Sequence, residues 1–264
     1  MGISHLELLE SMEKIAPQCL MEEWDNVGVQ IKVSDEPINR ILVALEITEA
    51  VMAEAASSQA NLIITHHPLI FDGIRHLTVN DLVGKYVISL ISQGISVYAA
   101  HTNFDKAPGG NNDFLIDLLG VPYNPVIGTG SFGNGGIGRM LDLTKFEKLE
   151  NLAAKVQRSF DIPEGELRQV GRDEQLIHRI GVCTGAGASL IKEAISNGCN
   201  LLITGDVKYH DAQYAKEMGF CLIDAGHFHT EKFFAGNYAE RLKRVIGEKV
   251  LITASQININ PFGY

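Results

Sequence analysis

The chain has 264 residues, 45% of them apolar and 20% charged, enough to bury one large core or two modest ones and too apolar for a disordered chain. A formal net charge of -10 without any cluster of Lys or Arg disfavours nucleic acid and anionic membrane as partners, because binding a polyanion needs surplus basic groups. No apolar run reaches the roughly 20 residues of a membrane span, and the first residues lack the basic start and apolar centre of a signal peptide. The four cysteines, Cys19, Cys183, Cys199 and Cys221, are widely and irregularly spaced, as expected of buried free thiols in a soluble cytoplasmic protein.

In chain order, Arg40-Ile41-Leu42-Val43-Ala44 reads as a strand, residues 49–60 as a short amphipathic helix, and Asn61-Leu62-Ile63-Ile64-Thr65 as a second strand that ends at His66-His67-Pro68. Gly94-Ile95-Ser96-Val97-Tyr98-Ala99-Ala100 is a third strand and leads into His101-Thr102-Asn103-Phe104-Asp105. A glycine-rich stretch over 128–138 follows, and we expect a domain boundary near residue 126, with one lobe over 1–126 and another over 127–264, the two open to exchange of segments. Two matches to the dinucleotide fingerprint in that stretch, Gly128-x-Gly130-x-x-Gly133 and Gly133-x-Gly135-x-x-Gly138, precede Met140-Leu141-Asp142-Leu143, which reads as strand where the fingerprint requires a helix. They are read as chance matches.

The second half then repeats the first. Arg179-Ile180-Gly181-Val182-Cys183 aligns with the strand at Arg40, and Asn200-Leu201-Leu202-Ile203-Thr204 aligns with the strand at Asn61, in both cases 139 residues later. Gly219-Phe220-Cys221-Leu222-Ile223-Asp224-Ala225 answers the strand at Gly94 at an offset of 125, and His227 and Glu231 answer His101 and Asp105 at an offset of 126. Strands separated by helices imply crossover connections, so the fold class is α/β: two similar lobes from an internal duplication, with mainly parallel or mixed sheets flanked by helices. Gly185-Ala186-Gly187-Ala188-Ser189 lies between a strand and a helix and reads equally as an anion-binding turn or as a plain tight turn.

Ligands of such sheets gather beyond the carboxyl ends of the strands, and there this sequence places its polar motifs. Imidazole with carboxylate suits zinc, iron, manganese or nickel better than calcium. His227 and Glu231, four apart at the start of a helix expected to run on through Phe233-Phe234-Ala235, share one face. Pro68 can turn the chain so that His66 and His67 address separate ions, which makes Asp105 a candidate bridging carboxylate. Singly, a His-His-Pro turn or a His-x-x-x-Glu pair is often a satisfied surface feature. Their recurrence at equivalent strand ends in both halves is what points to a site. Trp24-Asp25-Asn26-Val27-Gly28 reads as a packed turn at its border.

The segments Glu23-Trp24-Asp25-Asn26-Val27-Gly28, Thr65-His66-His67-Pro68-Leu69, His101-Thr102-Asn103-Phe104-Asp105, Thr204-Gly205-Asp206-Val207-Lys208-Tyr209-His210 and Asp224-Ala225-Gly226-His227-Phe228-His229-Thr230-Glu231 together resemble the Nif-three-like family, the GTP cyclohydrolase I type 2 homologues, nearly end to end. The resemblance implies two interlocked α/β lobes, a toroidal homohexamer and two divalent metal ions, zinc, iron or manganese, held by His66, His67, Asp105, His227 and Glu231. Asp206 stands where many relatives carry Glu. The implied activity is hydrolytic opening of GTP with release of formate, with His101 or His210 moving protons and a small molecule or nucleotide as substrate. Two other readings stand beside it: a nucleotide or phosphate-ester hydrolase, and a non-enzymatic metal-binding scaffold or regulator.

Overall fold

The computed structural model describes residues 2–125 and 130–262. The chain divides into two compact units, residues 1–107 with 234–264 and residues 108–233. The first unit contains α1 (His5–Ile15), β1 (Gly28–Ile31), β2 (Arg40–Ala44), α2 (Glu49–Ser57), β3 (Leu62–Thr65), α3 (Leu82–Ser92), β4 (Ser96–Ala99) and α4 (Thr102–Lys106). The second contains α5 (Asn111–Leu119), β5 (Tyr123–Pro125), β6 (Ser131–Phe132), β7 (Gly138–Lys148), α6 (Leu149–Ser159), β8 (Arg168–Val170), β9 (Leu176–Val182), α7 (Ile191–Ser196), β10 (Leu201–Thr204), α8 (Tyr209–Glu217), β11 (Cys221–Asp224) and α9 (His227–Glu231). The chain then returns to the first unit with α10 (Phe234–Ile246) and β12 (Leu251–Ala254).

This division differs from a boundary near residue 126, where Val126, Ile127 and Gly128 lie outside the described residues. Leu115, Ile116 and Leu119 of α5 pack with Leu141, Leu152 and Ile180 in the second unit's core, so the chain has changed units before α5 begins. At the other end, β12 pairs in parallel with β2 from Leu251 opposite Arg40 to Ala254 opposite Val43, and this returns the last segment to the first sheet.

The first sheet has the order β1-β4-β3-β2-β12 and is parallel except for β1, which runs antiparallel to β4. The second has the order β5-β7-β9-β10-β11-β8, with β6 paired to β7, and its parallel centre is β9-β10-β11. β3 and β10 are buried at every residue, which explains their unbroken apolar runs. Each fully buried Leu or Ile there contributes on the order of 2 kcal/mol. Short polar caps start α1, α2 and α3: Ser4 Oγ accepts from Glu7 N, Thr48 Oγ1 from Val51 N and Asp81 Oδ2 from Gly84 N.

The duplication holds at the level of single hydrogen bonds. Asn61 Oδ1 accepts from the amides of Asn39 and Arg40 at 3.1 and 3.2 Å, and Asn200 Oδ1 accepts from those of His178 and Arg179 at 3.1 and 3.0 Å. Arg40 Nη1 donates to the carbonyl of Ser58, and Arg179 Nη1 to that of Asn197. In each unit the asparagine just before one parallel strand thus ties it to the neighbouring strand, at the start of β2 and within β9.

All four cysteines are free; Cys19 is exposed, while Cys183, Cys199 and Cys221 are buried. Burial pushes the thiol of Cys199 up to about 12, against a smaller opposing pull from Arg179, and that of Cys221 up to about 11. Because the thiolate is the reactive species, iodoacetamide at pH 8 is expected to label the native protein once, at Cys19, as read by peptide mass spectrometry. Rapid labelling of Cys199 or Cys221 without denaturant would contradict this packing.

Candidate metal centre

In the first unit the site grows from the carboxyl ends of β3 and β4. The register that pairs Thr65 with Ala99 sets His66 and His101 side by side just beyond the sheet, with ring centroids 5.0 Å apart. Thr65 Oγ1 donates to the carbonyl of His67 at 2.8 Å and holds the turn into Pro68, and the His66 and His67 rings lie 5.3 Å apart at 36°. One ring nitrogen from each of His66, His67 and His101 lies within 4.8 Å of the other two, a group able to hold a metal ion. His101 therefore belongs to this cluster as closely as the two histidines expected to be ligands.

Each of these rings is gripped by an oxygen at Nδ1. His66 Nδ1 donates to the carbonyl of Ala100 at 2.9 Å, His67 Nδ1 lies 3.2 Å from Glu46 Oε2, and His101 Nδ1 lies 2.8 Å from Asp25 Oδ1. A carbonyl can only accept, so the proton of neutral His66 sits on Nδ1 and its lone pair on Nε2. That Nε2 faces Asp105 Oδ1 at 3.6 Å. Two acceptors facing one another call for a cation or a proton, and ligands about 2.1 Å from a shared ion stand about 2.9–3.5 Å apart at coordination angles of 90–110°. The pair fits a divalent ion in donor chemistry, and at 3.6 Å it stands just wider than two ligands of one ion.

Asp25 is the residue that sequence reading missed, taking its segment for a packed turn. Its Oδ2 accepts from the amide of Thr102 at 3.1 Å and from the Thr102 hydroxyl, while Oδ1 holds His101. Burial pushes its carboxyl up, but the hydrogen bond and charge of His101 with the two Thr102 bonds outweigh it and bring it down to about 2. Asp25 is therefore ionised at neutral pH and orients the His101 ring. The turn bearing it is fixed by Asp25 N donating to Glu22 O and by the buried pair of Glu22 with Lys106 at 2.7 Å. Glu46 was missed as well, although its place just after a buried strand is the signal that marked the histidines.

The second unit builds a smaller counterpart. Thr204 of β10 pairs with Asp224 of β11, so the chain after each strand emerges on one edge. There Gly205 N donates to Gly185 O at 2.8 Å. His227 lies between two carboxylates, with Nδ1 2.7 Å from Asp206 Oδ2 and Nε2 2.9 Å from Glu231 Oε2. Again Nδ1 is held by oxygen and Nε2 faces a ligand-type group. Thr230 Oγ1 accepts from Gly185 N and donates to the carbonyl of His227, closing the turn. A Cβ on Gly185 would stand 2.3 Å from Glu231 Oε1 and 3.3 Å from His227 Nε2, so this glycine makes the room for the pair. Asp206 adopts a left-handed backbone with φ of 54°. Asp tolerates that region better than most residues, which gives a local reason for Asp at this position.

The expected helix through Phe233 is broken. α9 ends at Glu231 and α10 begins at Phe234, so His227 and Glu231 lie on a five-residue helix of their own. In the Gly185 turn the amides of Gly185 and Gly187 donate to the Thr230 and Thr204 hydroxyls and the Glu231 carboxylate stands beside it, which favours the plain tight turn. Met140 to Leu143 lie within β7, in keeping with a chance dinucleotide fingerprint. His210 is exposed in the first turn of α8 with its ring against Tyr209; among the described residues it has no polar contact with His227, Glu231 or Asp206.

Fold and chemistry together define a class: a duplicated α/β protein that carries histidine and carboxylate groups at its strand ends, among them groups that could hold a metal ion. The chain belongs to the Duf34/NIF3 (NGG1p interacting factor 3) family, whose model matches residues 3–261. It is 34% identical over 269 residues to a Clostridium acetobutylicum protein named GTP cyclohydrolase 1 type 2 homolog, covering 100% of both chains. It is 36% identical to the GTP cyclohydrolase 1 type 2 of Helicobacter pylori over 89% of this chain and 90% of that one. Among solved structures it resembles a Staphylococcus aureus hypothetical protein (TM-score 0.89, 28% identity, 100% of both chains) and reduced HcgD from Methanocaldococcus jannaschii (TM-score 0.81, 26% identity, 97% of this chain and 99% of that one). Among the described residues no helix is long and apolar enough to cross a membrane.

Proposed function

We propose that His66, His67 and Asp105 of the first unit and His227 and Glu231 of the second jointly hold two divalent ions, and that the chain is a metal-dependent hydrolase acting on a nucleotide. One observation carries this reading. Four imidazoles, His66, His67, His101 and His227, each have Nδ1 on an oxygen, the arrangement that fixes a metal-ligating histidine in its tautomer and raises its basicity. When bound, such ions act as Lewis acids and lower the pKa of water toward neutrality. His101 moves the proton: ionised Asp25 holds Nδ1, which leaves Nε2 to take a proton and return it to the leaving group. His210 receives no role in this reading.

The substrate within this reading is GTP, opened at C8 of guanine with release of formate, and its support is the name borne by relatives at 34–36% identity. A toroidal homohexamer in the cytoplasm belongs to the same reading. Free cysteines support the compartment, and the exposed apolar side chains Leu77, Val79 and Leu82 support self-association. Protein loaded with zinc, iron or manganese in turn is expected to release formate from GTP. Full metal content without formate would overturn the ring-opening reaction, and phosphate in its place would move the activity to phosphoester hydrolysis.

A further inference from the structure

We propose that Trp24 and Phe71 form a stacking platform beside His101 for the planar heteroaromatic ring of a nucleoside or nucleotide; this deepens the nucleotide reading above and rests on it. Both side chains are large, apolar and more than half exposed, at 58% and 51%. Exposing two large aromatic rings side by side forfeits a favourable burial, so the exposure calls for a reason. Their centroids lie 5.9 Å apart with planes inclined at 43°, which leaves an open angle between the rings. Trp24 also meets the His101 imidazole edge-on at 6.1 Å and 76°.

The platform is built, not incidental. Asn26 Nδ2 donates to the carbonyl of Ile70 at 2.5 Å, and Ile70 N donates to Gln30 Oε1 at 3.0 Å, so the segment bearing Phe71 is tied at two points to the segment bearing Trp24. The same turn carries Asp25, whose carboxylate grips His101. One element therefore sets both the proton-moving imidazole and the ring next to it. A base stacked on Trp24 is thereby brought next to that imidazole. Stacking on an aromatic face is tolerant of base identity and strong enough to hold a ring without specific hydrogen bonds. The platform thus selects for a flat heterocycle and leaves the choice among bases to other contacts.

Trp24 is the one tryptophan of the chain, so its fluorescence reports on the platform alone. Titration of the full-length protein with guanosine is expected to quench that emission to saturation, in metal-loaded and chelator-treated protein alike, while ribose 5-phosphate and inorganic triphosphate leave it unchanged. Phe71→Ala is expected to weaken guanosine binding about tenfold with metal content unaltered. Failure of the metal reading would show as protein that binds guanosine but no metal. Failure of this inference would show as metal-replete protein whose tryptophan ignores every nucleoside. It would fall too if native Trp24 emission were blue-shifted and resistant to acrylamide, with Phe71→Ala changing the oligomeric mass, since a second copy of the chain would then cover the rings.

Discussion

Glu231→Gln is expected to lower the affinity for divalent metal by about 100-fold or more and to abolish hydrolysis, with the fold retained. The exchange keeps the shape of a side chain that is buried beside His227 Nε2 but replaces a carboxylate by a neutral amide. Loss even of the outer partner of a ligand typically costs 10–100-fold, so loss of a ligand should cost at least the upper end of that range. Asp105→Asn should do the same from the first unit, where Asp105 faces His66. The decisive comparison is the double variant. If both carboxylates serve one metal pair, their effects are strongly non-additive, because the first substitution already empties the site. Elemental analysis of gel-filtered protein, with circular dichroism for the fold, reads both quantities, and independent loss of one ion per substitution would argue for two separate sites.

The second large effect is on stability. Gly205→Ala is expected to destabilise the protein by roughly 3 kcal/mol, at the upper end of ordinary overpacking costs. The added Cβ would stand 2.5 Å from His227 N, 2.7 Å from Gly226 C and 2.8 Å from Gly185 O. All three are backbone atoms, so no side chain can swing aside, and the bond from Gly205 N to Gly185 O would open. Gly236→Ala makes the control: Gly236 lies in α10 with open space where its Cβ would go, and helix propensity favours alanine there by up to about 1 kcal/mol. Urea denaturation should separate the two variants clearly, with Gly205→Ala losing metal along with stability. A Gly205→Ala protein as stable as the parent would show that the close approach of these three backbone segments is not what holds the second cluster together.

Position 205 also shows what the duplication hid. It is the counterpart of His66 at the offset of 139 residues, and Asp206 is likewise the counterpart of His67. The repeat made the strands, their order within each half and the strand-end position of His66, His101 and His227 legible, because apolar runs and a constant offset survive divergence. It places a glycine and an aspartate where the first copy has two imidazoles, but it could not say that this lets His227 lie against the chain at Gly205 and Gly185. The grip of Asp25 on His101 joins residues 76 apart, and no periodicity marks such a pairing. An exchange of segments was open from the sequence, but which segment returns was not legible: β12 is a short strand with alternating exposure, Leu251 and Thr253 outward and Ile252 inward, a pattern that fits an edge strand of either unit.

The proposed metal pair draws its ligands from both units. Anomalous diffraction from crystals grown with zinc, collected on both sides of its absorption edge, tests it most directly. Two peaks about 3.5–4 Å apart are expected, the spacing of a two-metal site, each within bonding distance of residues among His66, His67, Asp105, His227 and Glu231. A single peak held by His66, His67 and His101 alone, with His227 and Glu231 bonded only to one another, would contradict it.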